Sequence, residues 1–139
     1  MASSRDPDCL FCKIVAGEIP ATIVAENERT VAFMDISPAT RGHALVIPRA
    51  HARDVHEIDP EDLKAVAVTA QVVAGRAIER LGAAGVNLLN SSGAAAWQTV
   101  FHFHMHVIPR YVDDPLRLPW APASGDMQDI AAAGAQLTQ

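Results

Sequence analysis

The segment Gln98-Thr99-Val100-Phe101-His102-Phe103-His104-Met105-His106-Val107-Ile108 places a histidine at every second position between apolar residues. From Val100 to Ile108 it is the longest strand signal in the chain. Side chains of a strand alternate between its two faces. His102, His104 and His106 are therefore expected on one face, with Phe103, Met105 and Val107 on the other, entering a core. A lone histidine has an easy structural explanation, but three imidazoles in alternation do not. Two chemistries suit them. A neutral imidazole can act as a nucleophile whose neighbours fix its tautomer. Alternatively, histidines two apart on a strand can bind a catalytic zinc that keeps one position open to water. Gln98, Thr99 and the Ser91-Ser92-Gly93 loop add neutral hydrogen-bonding groups and exposed amides. Such groups suit phosphate oxygens, whose transfer needs positioning and charge stabilisation.

Working outward, Val86 to Leu89 is predicted as a strand and Asn90 to Trp97 as a loop. Asp59-Pro60-Glu61 is a strong helix start, with Asp59 as N-cap and Pro60 at the first helical position. That helix is expected to reach Leu81 and stop at Gly82, with Leu63, Val66, Ala70, Val73, Ala77 and Leu81 as a core stripe. His43 to Pro48 is an apolar strand. Thr22–Glu26 and Thr30–Met34 read as a hairpin about Asn27-Glu28-Arg29. Asp35-Ile36-Ser37-Pro38 is a turn whose connection ends at Gly42. Cys9 to Ala16 is a short helix, with Leu10, Phe11 and Ile14 on its apolar side and Gly17 as its stop. The tail after Tyr111 holds Pro115, Pro119 and Pro122 and is expected to be irregular, with a weak helix near Asp126–Ala135. Short strands joined by tight turns, with helices kept apart, imply an α+β fold. Its expected parts are an antiparallel sheet, one long helix and a short N-terminal helix.

The 139 residues favour one domain, and 50% hydrophobic content argues against disorder. The expected division is a domain over residues 9–110, a leader over 1–8 and a tail over 111–139. A net charge of −5 with scattered Arg and Lys offers no face for a nucleic-acid backbone. Residues 1–7 are polar, unlike a signal peptide, and no apolar stretch approaches the roughly 20 residues that span a bilayer. A cytoplasmic protein that engages neither nucleic acid nor membrane is the expectation. The two cysteines, Cys9 and Cys12, have the spacing of half a zinc site; two reduced thiols are the alternative, and a redox pair would need a strand before the motif, which the sequence lacks.

The triplet with its flanks resembles the signature of the histidine triad (HIT) family, His-φ-His-φ-His-φ-φ with φ apolar. Phe33-Met34-Asp35-Ile36-Ser37-Pro38, Gly42-His43-Ala44-Leu45-Val46-Ile47-Pro48, His51 and Asn87-Leu88-Leu89-Asn90 resemble the rest of that family's pattern, in the same order. The similarity runs from about Cys9 to Pro109, and the N-terminal Cys-x-x-Cys points to the bacterial-type branch. The resemblance implies a nucleotide hydrolase or nucleotidyl transferase acting on an adenosine or guanosine monophosphate joined to an amine, acyl or phosphate group.

Roles follow from it position by position. His104 would be the nucleophile that carries the nucleotide, its other ring nitrogen held by a backbone carbonyl. His106 would donate toward the phosphate or leaving group, and His43 would join the active-site network, if it is not simply structural. Gln98 and Thr99 would contact phosphate oxygens, and Asn90 the ribose and phosphate unless it is a loop cap. Asp35 would accept from the ribose hydroxyls unless it is only a turn residue. Phe33, Ile36 and Leu45 would flank the base, or else belong to the core. Cys9, Cys12, His51 and His102 would hold a structural zinc, with His56 a surface residue and no catalytic cofactor expected. A homodimer using the long helix and a strand edge is implied. Thr99 stands where the family commonly has Ser, and Trp97 where a small residue is usual, which would narrow the leaving-group side. A sensor or adaptor with negligible turnover, and a zinc hydrolase using the histidine triplet as ligands, are the rival readings.

Overall fold

The computed structural model describes residues 5–138, so residues 1–4 of the expected leader lie outside the described residues. Helix α1 (Leu10–Val15) is followed by β1 (Ile23–Glu26), β2 (Thr30–Met34), β3 (Ala44–Pro48), α2 (Pro60–Leu81), β4 (Gly85–Asn90), β5 (Met105–Arg110) and α3 (Met127–Leu137). The five strands form one antiparallel sheet in the order β1-β2-β3-β5-β4. The expected α+β architecture is the observed one.

Alternation along the strands divides the sheet into two faces. Ala32, Ala44, Val46 and Val107 point to one side and pack with Val66, Ala70 and Val73 of α2. Val31, Phe33, Leu45 and Ile47 point to the other and pack with Phe11 of α1. Helix α2 has the caps its sequence calls for. The Asp59 carboxylate accepts from Glu61 N–H, and Gly82 ends the helix in the left-handed region at φ 73°. Its buried face is Val66, Thr69, Ala70, Val73 and Ala77, with Leu63 and Leu81 at the margins.

Three local expectations need correction. The strand forecast over Val100–Ile108 begins only at Met105. Both neighbours stop pairing there, β3 at Val46↔Met105 and β4 at Asn90↔Met105. Upstream, the chain finds other partners: Phe103 N–H donates to Ala52 O, and the Asn90 side-chain amide donates to His104 O. Within α1, Leu10 is 46% exposed, whereas Phe11 and Cys12 face inward. The expected Asn90–Trp97 loop contains a 3₁₀ turn at Ala94–Ala96, and Asn90 itself is the last residue of β4. In the tail, α3 runs to Leu137 and buries no residue.

Alternation survives the loss of the ladder. Phe103 is fully buried among Ala32, Val66 and Val107 and anchors the backbone between His102 and His104. Truncating such a residue to Ala costs about 3–5 kcal/mol. Gly42 fixes the approach to His43 for a steric reason. Its φ is +88°, and a Cβ there would stand 2.5 Å from Leu81 Cδ1.

Candidate active site and metal centre

A cleft of about 380 Å³ opens on the α1 side of the sheet. His104 and His106 lie at its floor, with Phe33, Leu45, Asp35 and Thr99 in its walls. Ile36 stands at the rim, 97% exposed. The register explains the grouping: Leu45 of β3 is paired with His106 of β5 and with Phe33 of β2, so all three share a face.

The ring partners determine the tautomers. His104 Nδ1 lies 2.8 Å from His102 O, an acceptor only, so Nδ1 carries the hydrogen. The lone pair of Nε2 is then available to a substrate. His43 Nδ1 accepts from Ala39 N–H at 2.9 Å, so neutral His43 holds its hydrogen on Nε2. That atom is 2.9 Å from His106 Nδ1 and donates to it, which leaves the His106 hydrogen on Nε2. Burial is the main cause that lowers the pKa of all three rings. His106 is pushed down to about 4, with His104 and His43 adding to the effect and Asp35 opposing it. His104 and His43 are lowered as well, against the pull of Asp35. All three are neutral at pH 7.

Asp35 Oδ1 accepts from Ser37 N–H at 2.7 Å, and Oδ2 lies 3.5 Å from His43 Nε2. The carboxylate keeps acceptor capacity toward the cleft. Gln98 and Asn90 stand elsewhere than expected. Gln98 is buried behind the loop. Its amide nitrogen donates to Arg53 O and Val100 O, and its oxygen accepts from Gly93 N–H. Asn90 holds the main chain of His104 and the Ser92 hydroxyl. Neither lines the cleft. Trp97 is exposed, in the left-handed region at φ 76°, and is also absent from the cleft wall.

Sequence reasoning missed the wall that α1 builds from Leu10, Phe11 and Ile14, together with Ile19-Pro20-Ala21. One signal could have found it. If Cys9 and Cys12 share a metal with His102, α1 must lie within reach of His104, two residues on.

Cys9, Cys12, His51 and His102 do converge, with one ligand atom from each inside 4.8 Å of the others. The edges of this cluster include Cys9 Sγ–His102 Nδ1 at 3.4 Å, Cys12 Sγ–His51 Nδ1 at 3.4 Å, Cys12 Sγ–His102 Nδ1 at 3.5 Å and His51 Nδ1–His102 Nδ1 at 3.3 Å. Zn–S and Zn–N bonds of about 2.3 and 2.0 Å at tetrahedral angles give S–N and N–N edges of roughly 3.3–3.5 Å. His102 Nε2 donates to Pro48 O at 2.8 Å, which turns the Nδ1 lone pair toward the thiols. These four residues could bind zinc. The triplet itself is not one ligand set among the described residues. His102 joins the cysteines, His106 joins Asp35 and His43 in a second potential cation cluster, and His104 joins neither.

A family model for the HIT domain matches residues 16–113. The chain belongs to the HIT family. This HIT protein is 45% identical over 104 residues to "Protein hit" of Bacillus subtilis, covering 75% of this chain and 72% of the relative. It is 35% identical over 131 residues to an adenosine 5'-monophosphoramidase, hnt1, of Schizosaccharomyces pombe, covering 94% and 96%. A solved structure, a Zn-bound histidine triad family protein from Mycobacterium smegmatis, superposes with a TM-score of 0.77 at 41% identity, covering 94% of this chain and 96% of that one. Among the described residues no helix is long and apolar enough to cross a membrane.

Proposed function

We propose that this protein is a nucleotide hydrolase or nucleotidyl transferase that attacks the α-phosphorus of a purine nucleoside monophosphate derivative. The observation that carries the reading is the His104 ring at the cleft floor, neutral and held by His102 O with Nε2 left open. His104 Nε2 forms a bond to phosphorus as the bond from phosphorus to the amine, acyl or phosphate leaving group breaks. Water then attacks the phosphorus, the Nε2–P bond breaks, and the monophosphate is released. His106 Nε2–H donates a hydrogen bond to the phosphoryl or leaving group during each displacement. Thr99, exposed on the wall, would offer its hydroxyl to a phosphoryl oxygen. Asp35 would take the ribose hydroxyls, while Phe33, Leu45 and Ile36 flank the base. His43, Asn90 and Gln98 support the site from behind, through His106, the His104 carbonyl and the 93–98 loop.

Cys9, Cys12, His51 and His102 would hold zinc, which supplies a structural crosslink between α1 and the two histidine segments. A homodimer fits the exposed edge of β4, where Leu88 lies beside Val68 of α2, with Leu89 and Val72 as further exposed apolar side chains. A cytoplasmic location accords with the reduced, metal-binding use of the cysteines.

The deciding experiment compares turnover of an adenosine phosphoramidate, an acyl adenylate and a dinucleoside polyphosphate. Measurable kcat/KM on at least one, with release of AMP, supports the reading. Tight AMP binding with no turnover of any of the three would mark the protein as a sensor or adaptor.

A further inference from the structure

The Cys-His cluster is linked to the His104 imidazole by two separate routes, through His102 and through Phe11. His102 presents Nδ1 to the thiols, while its main-chain oxygen, on the same residue, accepts the Nδ1–H of His104 at 2.8 Å. The second route is Phe11, which lies between Cys9 and Cys12 on α1. Its ring meets the His104 ring edge-to-face, with centroids 5.2 Å apart and planes at 88°. The same ring stands 6.0 Å from that of His102. Phe11 also lines the cleft, beside Leu10 and Ile14. Helix α1 has six residues, too few for a helix to hold its own shape in water. What fastens it over the site is the packing of Phe11 against Phe33 and Leu45, and the Cys-His cluster.

We propose that the Cys9–Cys12–His51–His102 metal centre positions the nucleophile: metal occupancy locks His102 to α1, and this lock keeps His104 in its single Nδ1–H tautomer and closes the α1 wall of the cleft. His102 and Phe11 are positioning residues in this arrangement. The proposal rests on the nucleotide-hydrolase reading for the role of His104 and the contents of the cleft. Zinc loss leaves the fold of the sheet in place, since the α2-side core contains none of the four ligands. It loosens the one carbonyl that orients the attacking ring and the one helix that covers the nucleoside.

The test uses the full chain at one fixed pH in three states: zinc-loaded, chelator-stripped and zinc-restored. Long-range proton–nitrogen spectra report the His104 tautomer, calorimetry reports AMP affinity, and steady-state assays report kcat and KM for an adenosine phosphoramidate. In the loaded state His104 should show one tautomer with its hydrogen on Nδ1. Stripping should mix the tautomers and lower both kcat and AMP affinity by about tenfold, the scale on which supporting contacts act at such sites. Zinc should restore all three. A stripped protein that keeps its folded amide spectrum, its tautomer and its AMP affinity would overturn the proposal.

If stripping unfolds the chain, Phe11→Leu in the zinc-loaded protein decides. It keeps all four ligands and should retain one zinc per chain. His104 should keep its Nδ1–H tautomer, because the metal still holds His102, while AMP binding weakens as the α1 wall loosens; a tautomer mixed in spite of bound zinc, or an unchanged AMP affinity, would overturn the proposal. The two readings fail differently. A loaded protein that turns over none of the phosphoramidate, the acyl adenylate and the dinucleoside polyphosphate, yet whose tautomer and AMP affinity follow zinc, refutes the hydrolase reading and keeps the coupling. Equal turnover with and without zinc does the reverse.

Discussion

His43 Nε2 lies 2.9 Å from His106 Nδ1, and this pair gives the site a direction. Ala39 N–H fixes one end of the chain, so the mobile hydrogen on His106 can only be the one on Nε2. His43→Ala removes the donor that enforces this tautomer. One neutral hydrogen bond is worth about 0.5–1.5 kcal/mol, or roughly two- to tenfold in rate. Steady-state assays should show that drop in kcat with KM little changed. His43→Gln, which can accept from Ala39 and donate to His106, should recover part of it. A loss confined to KM would move His43 into substrate binding.

The pH profile follows from the same burial. His106 titrates at about 4 in the folded protein, held down by desolvation first and by the His104 and His43 rings second, with Asp35 pulling upward. An ordinary imidazole titrates near 6.5. Between these values the unfolded chain binds more protons than the folded one, so stability must fall as pH drops through that window. Denaturant melts at pH 7 and pH 5 should show the lower stability at pH 5. The acid limb of kcat/KM should also lie below pH 6.5. An acid limb centred above 6.5 would mean that a carboxylate, not desolvation, governs the rings.

How much of this was legible in the sequence depends on the range of the forces involved. The α2 boundaries were, because Asp59, Pro60 and Gly82 act on their own backbone. Alternation through the triplet also held, with Phe103 and Val107 in the core, because the pleat follows the chain. The early end of β5 was not legible. It depends on where β3 and β4 stop pairing and on the Asn90 amide that takes over at His104, and both are set by distant segments. For the same reason Gln98 read as a phosphate ligand. Its amide type suits phosphate, but only the folded loop reveals that Arg53, Val100 and Gly93 occupy it. The apolar stripe of α1 predicts burial for Leu10, yet only Phe11 reaches the core; Leu10 joins Phe11 and Ile14 in the cleft wall and stays exposed there.

Asp35 offers a test of sugar recognition. Its Oδ1 is occupied by Ser37 N–H, while the carboxylate still lines the cleft and can accept from a vicinal diol. A hydrogen bond to a charged group contributes about 1.5–3 kcal/mol. Asp35→Ala should therefore weaken AMP binding by more than about tenfold and dAMP binding far less. Calorimetry with both nucleotides measures this. Equal losses for the two would show that the carboxylate acts through His43 instead.

Zinc content is directly measurable. Protein purified without chelator or added metal should carry close to one zinc per chain, held by Cys9, Cys12, His51 and His102. Ligand binding of this kind contributes its free energy to folding. Cys12→Ser, at a fully buried position, should lose the metal and lower Tm by at least about 3 °C, the shift expected from one or more kcal/mol in a domain of this size. A metal-free wild type whose Tm does not respond to zinc would refute the assignment.

The sharpest expectation concerns His104. Its Nδ1–H is committed to His102 O, its ring is neutral through burial, and its Nε2 has no protein partner competing for the lone pair among the described hydrogen bonds. A neutral imidazole is a competent nucleophile near pH 7 and needs no strong base beside it. His104→Ala should therefore abolish turnover, while AMP binding stays near wild type, because in the proposed reading Asp35, Phe33 and Leu45 would make the nucleoside contacts. His106→Ala should be milder, and mildest for a leaving group that departs without a proton. Rapid quench with an activated adenylate, followed by intact-mass and peptide analysis, should find one AMP attached to His104. An adduct on His106 would exchange the two roles. Substantial turnover by His104→Ala would rule out the covalent route and leave direct attack by water, with the second cluster of Asp35, His43 and His106 as the place to look for its activation.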